Sequence, residues 1–358
     1  MNKNLLQRFY QFGFKVGLLK SGNCRGISDV PGITVGHVTK IKGSDIRTGL
    51  TLIDPGIKDL FRNKIPAAIY VGNGHGKLAG YTQVEELGTL EAPIVLTNTL
   101  AVGPAMRGLV DLVIGQTPDI KPLETINAIV GEINDGRLND IHANNISGQD
   151  VKLAYDSRSK DFQIGNVGGG TGARAFSWKG GIGTASRTIS LKKKKYTVGV
   201  LVQTNFGGSL NILGVPIGEI LGKNDFGNVL PEKPNGSCNI VLATDAPLTA
   251  RQLKRIARKA FLGMVRTGSI IAHGSGDYVI AFSTNRTGLE NSGQIGKCLS
   301  DESLNAFFLA SIEATEEAIY DAIFAAETMK GQGGKILEEL PKGKVLELLN
   351  KYAYQAKK

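Results

Sequence analysis

Short apolar or alternating runs mark the first two hundred positions: Ile33 to Ile41, Thr48 to Ile53, Ala67 to Val71, Pro93 to Leu96 and Tyr196 to Gln203. Each reads as a β-strand, and glycine-rich turns separate them. The period lengthens to that of a helix at Val102 to Ile114 and again in the last third. There Thr249 and Gln252 form a capping box ahead of Leu253, Ile256, Ala257, Ala260, Met264 and Val265. A longer helix follows, with Leu304, Phe307, Phe308, Ser311, Ile312, Thr315, Ile319, Ala322, Ile323 and Ala326 on one face and Gly331 as the expected stop. The pattern is that of an α/β protein with a sheet-rich first half.

Between the halves lies Lys223-Asn-Asp-Phe-Gly-Asn-Val-Leu-Pro-Glu-Lys-Pro-Asn-Gly236, polar and turn-rich, the composition of an exposed loop that can move or be cut. Ser237-Cys-Asn-Ile-Val-Leu-Ala-Thr244 then reads as a strand, so a serine stands at a loop-to-strand junction. At the start, Leu5, Leu6, Phe9, Phe12, Phe14, Val16, Leu18 and Leu19 are interspersed with Lys3, Arg8, Lys15 and Lys20. Residues 1–26 are therefore expected to form a basic amphipathic helical extension, docked on its own core or on a neighbouring subunit, with a membrane surface or another partner as the alternative.

Composition narrows the class. With 358 residues, 41% of them hydrophobic, the chain can bury one large core or two moderate ones. No run approaches the roughly 20 apolar residues of a membrane-spanning helix, and the amino terminus has no signal-peptide pattern. A soluble cytoplasmic protein is expected. Cys24, Cys238 and Cys298 are too scattered for a disulfide framework or a metal site, and free thiols are expected. The net charge of +10 raises nucleic acid as a partner. The densest run, Lys192 to Lys195, however, reads as a hairpin turn, and no aromatic residues interleave with the basic ones to stack on bases. No nucleic-acid partner is expected.

A Gly236-Ser237 junction alone is an ordinary turn. Its context is not ordinary. Asn235-Gly-Ser-Cys-Asn-Ile-Val-Leu-Ala-Thr-Asp-Ala-Pro-Leu248, Gln252-Leu-Lys-Arg-Ile-Ala-Arg258 and His273-Gly-Ser-Gly-Asp-Tyr-Val-Ile-Ala-Phe-Ser-Thr284 closely resemble the DmpA-like self-processing aminopeptidases. That family includes the L-aminopeptidase D-esterase/amidases and the β-peptidyl aminopeptidases. The resemblance extends through Thr34-Val-Gly-His37, Arg47-Thr-Gly49, Val130-Gly-Glu-Ile-Asn-Asp-Gly136, Gly165-Asn-Val-Gly-Gly-Gly-Thr-Gly172 and Val202-Gln-Thr-Asn-Phe-Gly207. It spans about residues 27 to 330 with the motifs in order.

The resemblance implies an αββα-type sandwich, stacked sheets flanked by helices, of the N-terminal-nucleophile kind. It implies a cut between Gly236 and Ser237, leaving an α chain that ends at 236 (27–236 after the extension) and a β chain of 237–358 within one catalytic domain. Homo-oligomers of such αβ pairs are expected, with no metal or organic cofactor. Elementary chemistry agrees with the assignment of Ser237 as nucleophile. Glycine before the serine clears the scissile carbonyl for attack by the hydroxyl, an N-to-O acyl shift, and hydrolysis of the ester frees an α-amine. Such an amine has a reference pKa of about 7.7 to 8 and can take the proton of its own hydroxyl.

By resemblance, Ser275 hydrogen-bonds to Ser237, Asp277 orients Ser275, Asn205 donates to the developing oxyanion, and Glu132 holds the amino group of a small peptide, amide or ester substrate. Read from spacing alone, Ser275 and Asp277 share a face of an extended segment or form an Asx turn. Asp135 rivals Glu132 as ammonium partner. The family's second oxyanion donor, a tyrosine, corresponds here to Asn134, so either its amide or a backbone N–H takes the role. The glycine-rich 165–172 segment lacks the Gly-Lys-Ser/Thr of a phosphate loop and reads as a close backbone approach with Asn166 lining the pocket. Arg174 is expected in a structural ion pair. Of the four histidines, His273 is the best placed for a role, shaping the Gly274-Ser-Gly-Asp277 loop. Two other readings share these residues: a self-processing acyltransferase resembling ornithine acetyltransferases, which usually expose threonine, and a non-catalytic member of the fold.

Overall fold

The structure, a computed structural model, describes residues 8–191, 193–227, 235–291 and 294–353. Lys3, Leu5 and Leu6 of the expected extension, Lys192 of the lysine turn and positions 228–234 of the loop before Ser237 lie outside the described residues.

Two sheets form the centre. The first has five strands in the order β1-β2-β6-β7-β4: β1 (Thr34–Lys42), β2 (Ile46–Asp54), β4 (Leu78–Ala79), β6 (Ile94–Asn98) and β7 (Ile129–Ile133). The second has six, in the order β10-β11-β12-β13-β3-β5: β3 (Ile65–Gly74), β5 (Thr89–Leu90), β10 (Ile182–Leu191), β11 (Lys194–Asn205), β12 (Asn235–Thr244) and β13 (Gly274–Ser283). Two-residue ribbons pair β8 (Arg174–Ala175) with β9 (Trp178–Lys179), β14 (Glu290–Asn291) with β15 (Gln294–Ile295) and β16 (Met329–Lys330) with β17 (Ile336–Leu337). The helices are α1 (Tyr81–Leu87), α2 (Val102–Gln116), α3 (Gly148–Asp156), α4 (Ile217–Ile220), α5 (Ala250–Arg266), α6 (Leu304–Phe324) and α7 (Lys342–Tyr352).

Strand alternation sorts the side chains into three packed layers. Val198, Val200 and Val202 of β11, with Ile240 and Leu242 of β12, face α5 and α6. Their neighbours Leu201, Val241 and Ala243 face the other way and meet Ile53, Ile94, Leu96 and Ile129 of the first sheet. Beyond that sheet, Leu50, Leu52, Val95 and Val130 pack on Ala105, Leu109, Val151 and Ala154 of α2 and α3. The molecule is an αββα sandwich, the architecture that the resemblance implies. The strands expected from the sequence are present, and α5 opens on the Thr249–Gln252 capping box. Among the described residues no helix is long and apolar enough to cross a membrane.

Three expectations need correction. The long helix α6 ends at Phe324 with Ala325 as its cap, short of Gly331, which begins the next turn. It is also buried all round from Glu313 to Phe324 and has no single buried face. Its acids make this possible, because Arg187 lies between Glu313 (3.1 Å) and Glu317 (2.6 Å), and Arg8 meets Asp321 at 2.7 Å. In place of a helix, the described part of the amino-terminal extension forms a 3-10 turn, Phe9–Phe12, stopped by Gly13 at φ 85°, and a single β-bridge from Lys20 to Thr188. It docks on its own core: Phe9 is fully buried against Tyr320 and Phe324, and its N–H donates to Asp321 Oδ1.

Candidate active site

Strands β11, β12 and β13 lie side by side, and their register assembles the candidate residues. Ser237 on β12 stands opposite Asn205 of antiparallel β11, while parallel β13 sets Ser275 beside Gly236 and Asp277 beside Cys238. Ser237, Gly236, Asn205, Glu132, Asn134 and Arg174 line one cleft of about 570 Å³. Ser237 is 4% exposed, and its Oγ donates to the Gly236 carbonyl at 2.6 Å. A Cβ on residue 236 would sit 2.9 Å from Phe206 Cα and 3.0 Å from the Asn205 carbonyl, so a side chain there would force β11 aside.

Alternation along β13 points Ser275 and Asp277 the same way, and Ser275 Oγ donates to Asp277 Oδ1 at 2.9 Å. The extended alternative is thus the one observed, not the Asx turn. Burial pushes the Asp277 carboxyl up to about 7, opposed by the bonds from the Ser275 hydroxyl and the Cys238 backbone. Its Oδ2 has no hydrogen-bond partner among the described residues. The expected Ser275–Ser237 bond is not among the described contacts. With residues 236 and 237 joined, each hydroxyl donates elsewhere, Ser237 to Gly236 and Ser275 to Asp277.

Asn205 is held at both ends of its amide. Oδ1 accepts from Arg174 N at 3.0 Å, and Nδ2 donates to the Asn134 carbonyl at 3.0 Å. Asn134 is exposed, and its own Oδ1 accepts from Gly136 N. Glu132, at the end of β7, is buried; it accepts from Lys77 N at 2.9 Å on one oxygen and from the Thr99 hydroxyl on the other. Asp135 points away from the cleft into a buried cluster, accepting from Thr48 Oγ1 (2.5 Å) and Asn139 Nδ2 (3.0 Å). Burial raises its carboxyl to about 7, and burial lowers the Lys179 ammonium, which interacts with it, to about 7. Of the two rival acids, Glu132 is the one that lines the cleft.

Arg174 is ion-paired as expected, to Asp225. Asn166 is not where the sequence put it. Its amide bonds the backbone of Glu327, at 2.8 Å to the carbonyl, and it does not line the cleft. The glycine-rich segment does make a close approach: Gly169 N donates to Thr51 Oγ1, Gly169 O accepts from Gln203 Nε2 at 2.7 Å, and a Cβ there would be 2.6 Å from the Leu96 carbonyl. His37 is structural, held by Thr51 and Gln163 and lowered by burial to about 4. His75 lines the cleft, and the ring of His273, also exposed, lies 6.4 Å from its own. Sequence reasoning missed His75, Lys77, Thr99, Arg137 and Asp225 on the cleft wall. It also missed Asn239, which ties the Glu132 carbonyl to Gln203 (both 2.9 Å); its place two residues after Ser237, on the same strand face, was the available signal.

Residues 25–337 match the sequence profile of Peptidase family S58. The chain belongs to this family. The β-peptidyl aminopeptidase BapA of Sphingosinicella microcystinivorans is 37% identical over 365 residues, spanning 93% of this chain and 89% of its own. Among solved structures, the PH0078 protein from Pyrococcus horikoshii OT3 is 40% identical with a TM-score of 0.89, covering 97% of this chain and 99% of its own. The L-aminopeptidase D-Ala-esterase/amidase of Ochrobactrum anthropi, described as a prototype of the serine aminopeptidases and a variant of the Ntn hydrolase fold, is 32% identical with a TM-score of 0.87, covering 96% and 98%. This S58 peptidase is accordingly a hydrolase of the aminopeptidase class with an Ntn-type fold.

Proposed function

We propose that the chain cuts itself between Gly236 and Ser237 and then uses the freed Ser237 to release amino-terminal residues from small peptides, amides or esters. The observation that carries this reading is the Ser237 hydroxyl, buried at the cleft floor and 2.6 Å from the carbonyl oxygen of the bond before it. In the cut, Oγ attacks the Gly236 carbonyl carbon, its proton passes through Ser275 toward ionised Asp277, and the C–N bond breaks as the Ser237 nitrogen takes a proton. Water then hydrolyses the ester, leaving a Gly236 carboxylate and a free Ser237 amine and hydroxyl.

In turnover that amine accepts the hydroxyl proton as Oγ attacks the substrate carbonyl. Asn205 Nδ2, opposite Ser237, donates to the oxyanion; a donor of this kind supplies roughly 3 to 4 kcal/mol. Glu132 holds the substrate ammonium, and the leaving amine departs protonated before water releases the acyl group. The processed pairs associate as homo-oligomers in the cytoplasm.

Intact-mass analysis tests the cut. Wild type is expected to give two chains meeting at residue 237, and Ser237→Ala one uncut chain with no amidase activity. An uncut wild-type protein, or a cut and active Ser237→Ala, sinks the proposal.

A further inference from the structure

The cleft holds a buried carboxylate, Glu132, toward one end and two arginines, Arg137 and Arg174, toward the other. Segment 132–134 crosses above the nucleophile strand. Glu132 begins it on the β13 side, where a Cβ on Gly76 would lie 2.8 Å from Glu132 Oε1 and 3.2 Å from Gly276 Cα. Asn134 ends it on the β11 side, its carbonyl tied to Asn205. Ser237 lies on β12, between the two. A substrate whose ammonium sits on Glu132 and whose carbonyl sits on Ser237 therefore sends its leaving portion toward β11.

Two arginines line the cleft there. Arg174 is already neutralised, since Asp225 Oδ1 takes its guanidinium and the Ser177 hydroxyl, and Asp225 Oδ2 takes Gly208 N. Arg137, in the turn after Asn134, is exposed and makes no ion pair or hydrogen bond among the described residues. The leaving side thus carries one uncompensated cation on a wall whose other charges are matched. Lys77 is also exposed on the cleft wall, but its backbone ties it to the Glu132 end.

Resting on the reading of Glu132 and Ser237 above, we infer that Arg137 selects substrates with a carboxylate one residue beyond the scissile bond: short peptides, dipeptides foremost, with a free carboxyl terminus. Arg137 is a specificity residue of the leaving side, pairing with the carboxylate through its guanidinium fork. The pairing lies at a water-exposed rim, so its effect is modest and falls with salt.

The test compares alanyl-alanine with its carboxyl-terminal amide. Wild type is expected to favour the acid about three- to tenfold in kcat/KM, through KM, and to lose most of that preference at high ionic strength. Arg137→Gln brings the ratio to about one, Arg137→Lys restores most of it, and Lys77→Gln leaves the ratio in place. An equal ratio in wild type, or a ratio that collapses in Lys77→Gln and not in Arg137→Gln, overturns the inference. Where the purified protein hydrolyses neither compound, calorimetric titration with the same pair reads recognition of the carboxylate as binding. Acid-selective binding without hydrolysis would sink the proposed catalysis and leave Arg137 standing, whereas hydrolysis of both substrates at equal rates would do the reverse.

Discussion

The two sheets contribute to the cleft in different ways. The six-stranded sheet delivers Asn205, Ser237, Ser275 and Asp277 from three adjacent strands, and the pairing of β12 with β11 on one side and β13 on the other fixes their relative positions. The five-stranded sheet delivers Glu132 from the second-last position of β7 and Asn134 from the loop just beyond. Groups that must hold atoms at bonding distance stand on neighbouring strands locked in register, and groups that meet a variable substrate come from the facing sheet and the loop that leaves it. On this division, changes in the first set should lower kcat and self-cleavage together, and changes in the second should raise KM and spare the cut.

Asp277→Asn should have the largest effect short of removing Ser237. Self-cleavage is expected to slow by about 10²- to 10⁴-fold, measured by the appearance of the two chains after refolding. The pH profile sharpens this. Ionised Asp277 accepts from Ser275, so the wild-type cut should quicken as pH rises through about 7, and the asparagine variant should lose that step. Stability should run the other way. A carboxyl raised from an ordinary 3.8 to about 7 contributes stability that is fully present below the lower value and lost as pH climbs through the upper one. Denaturant midpoints between pH 4 and 7 should therefore fall as the cut speeds up, with a flatter slope in Asp277→Asn.

Asn205→Ala is next, with an expected loss of about 10²- to 10³-fold in kcat on an alanyl nitroanilide at nearly unchanged KM. Glu132→Gln is the smallest of the three: normal two-chain mass, kcat within a few-fold and KM raised roughly ten- to a hundredfold. A Glu132 variant that fails to cut would dissolve the division of labour between the sheets.

The sequence made the long strands legible because their alternation survives burial on both sides, as in Tyr196 to Gln203. It hid α3, whose buried residues are only Asp150, Val151 and Ala154, and the two-residue strands β4 and β5, too short to show a period. The character of α6 was obscured because charged residues normally mark a solvent face, and here Glu313, Glu317 and Asp321 are buried against arginines far away in sequence. Motif likeness brought Ser237, Asn205, Glu132, Ser275 and Asp277 together, and the register of β11, β12 and β13 sets four of them side by side. It misplaced Asn166, because a glycine-rich turn specifies closeness to something without specifying to what. Thr99 and Arg137 carried no signal at all, since loops bring them to the cleft and no period encodes loop geometry.

The strand that carries Ser237 is flanked on both sides before any bond is broken, by residues 198–205 of β11 and 274–283 of β13. A chain end usually frays, and ordering one residue's backbone costs about 1 to 2 kcal/mol. An amino terminus created at this place would be born already clamped, its entropy surrendered when the precursor folded. The sheet must also be complete before the hydroxyl can meet its target. Under the proposed cut, only molecules that have passed through correct folding become enzymes, and activation doubles as quality control.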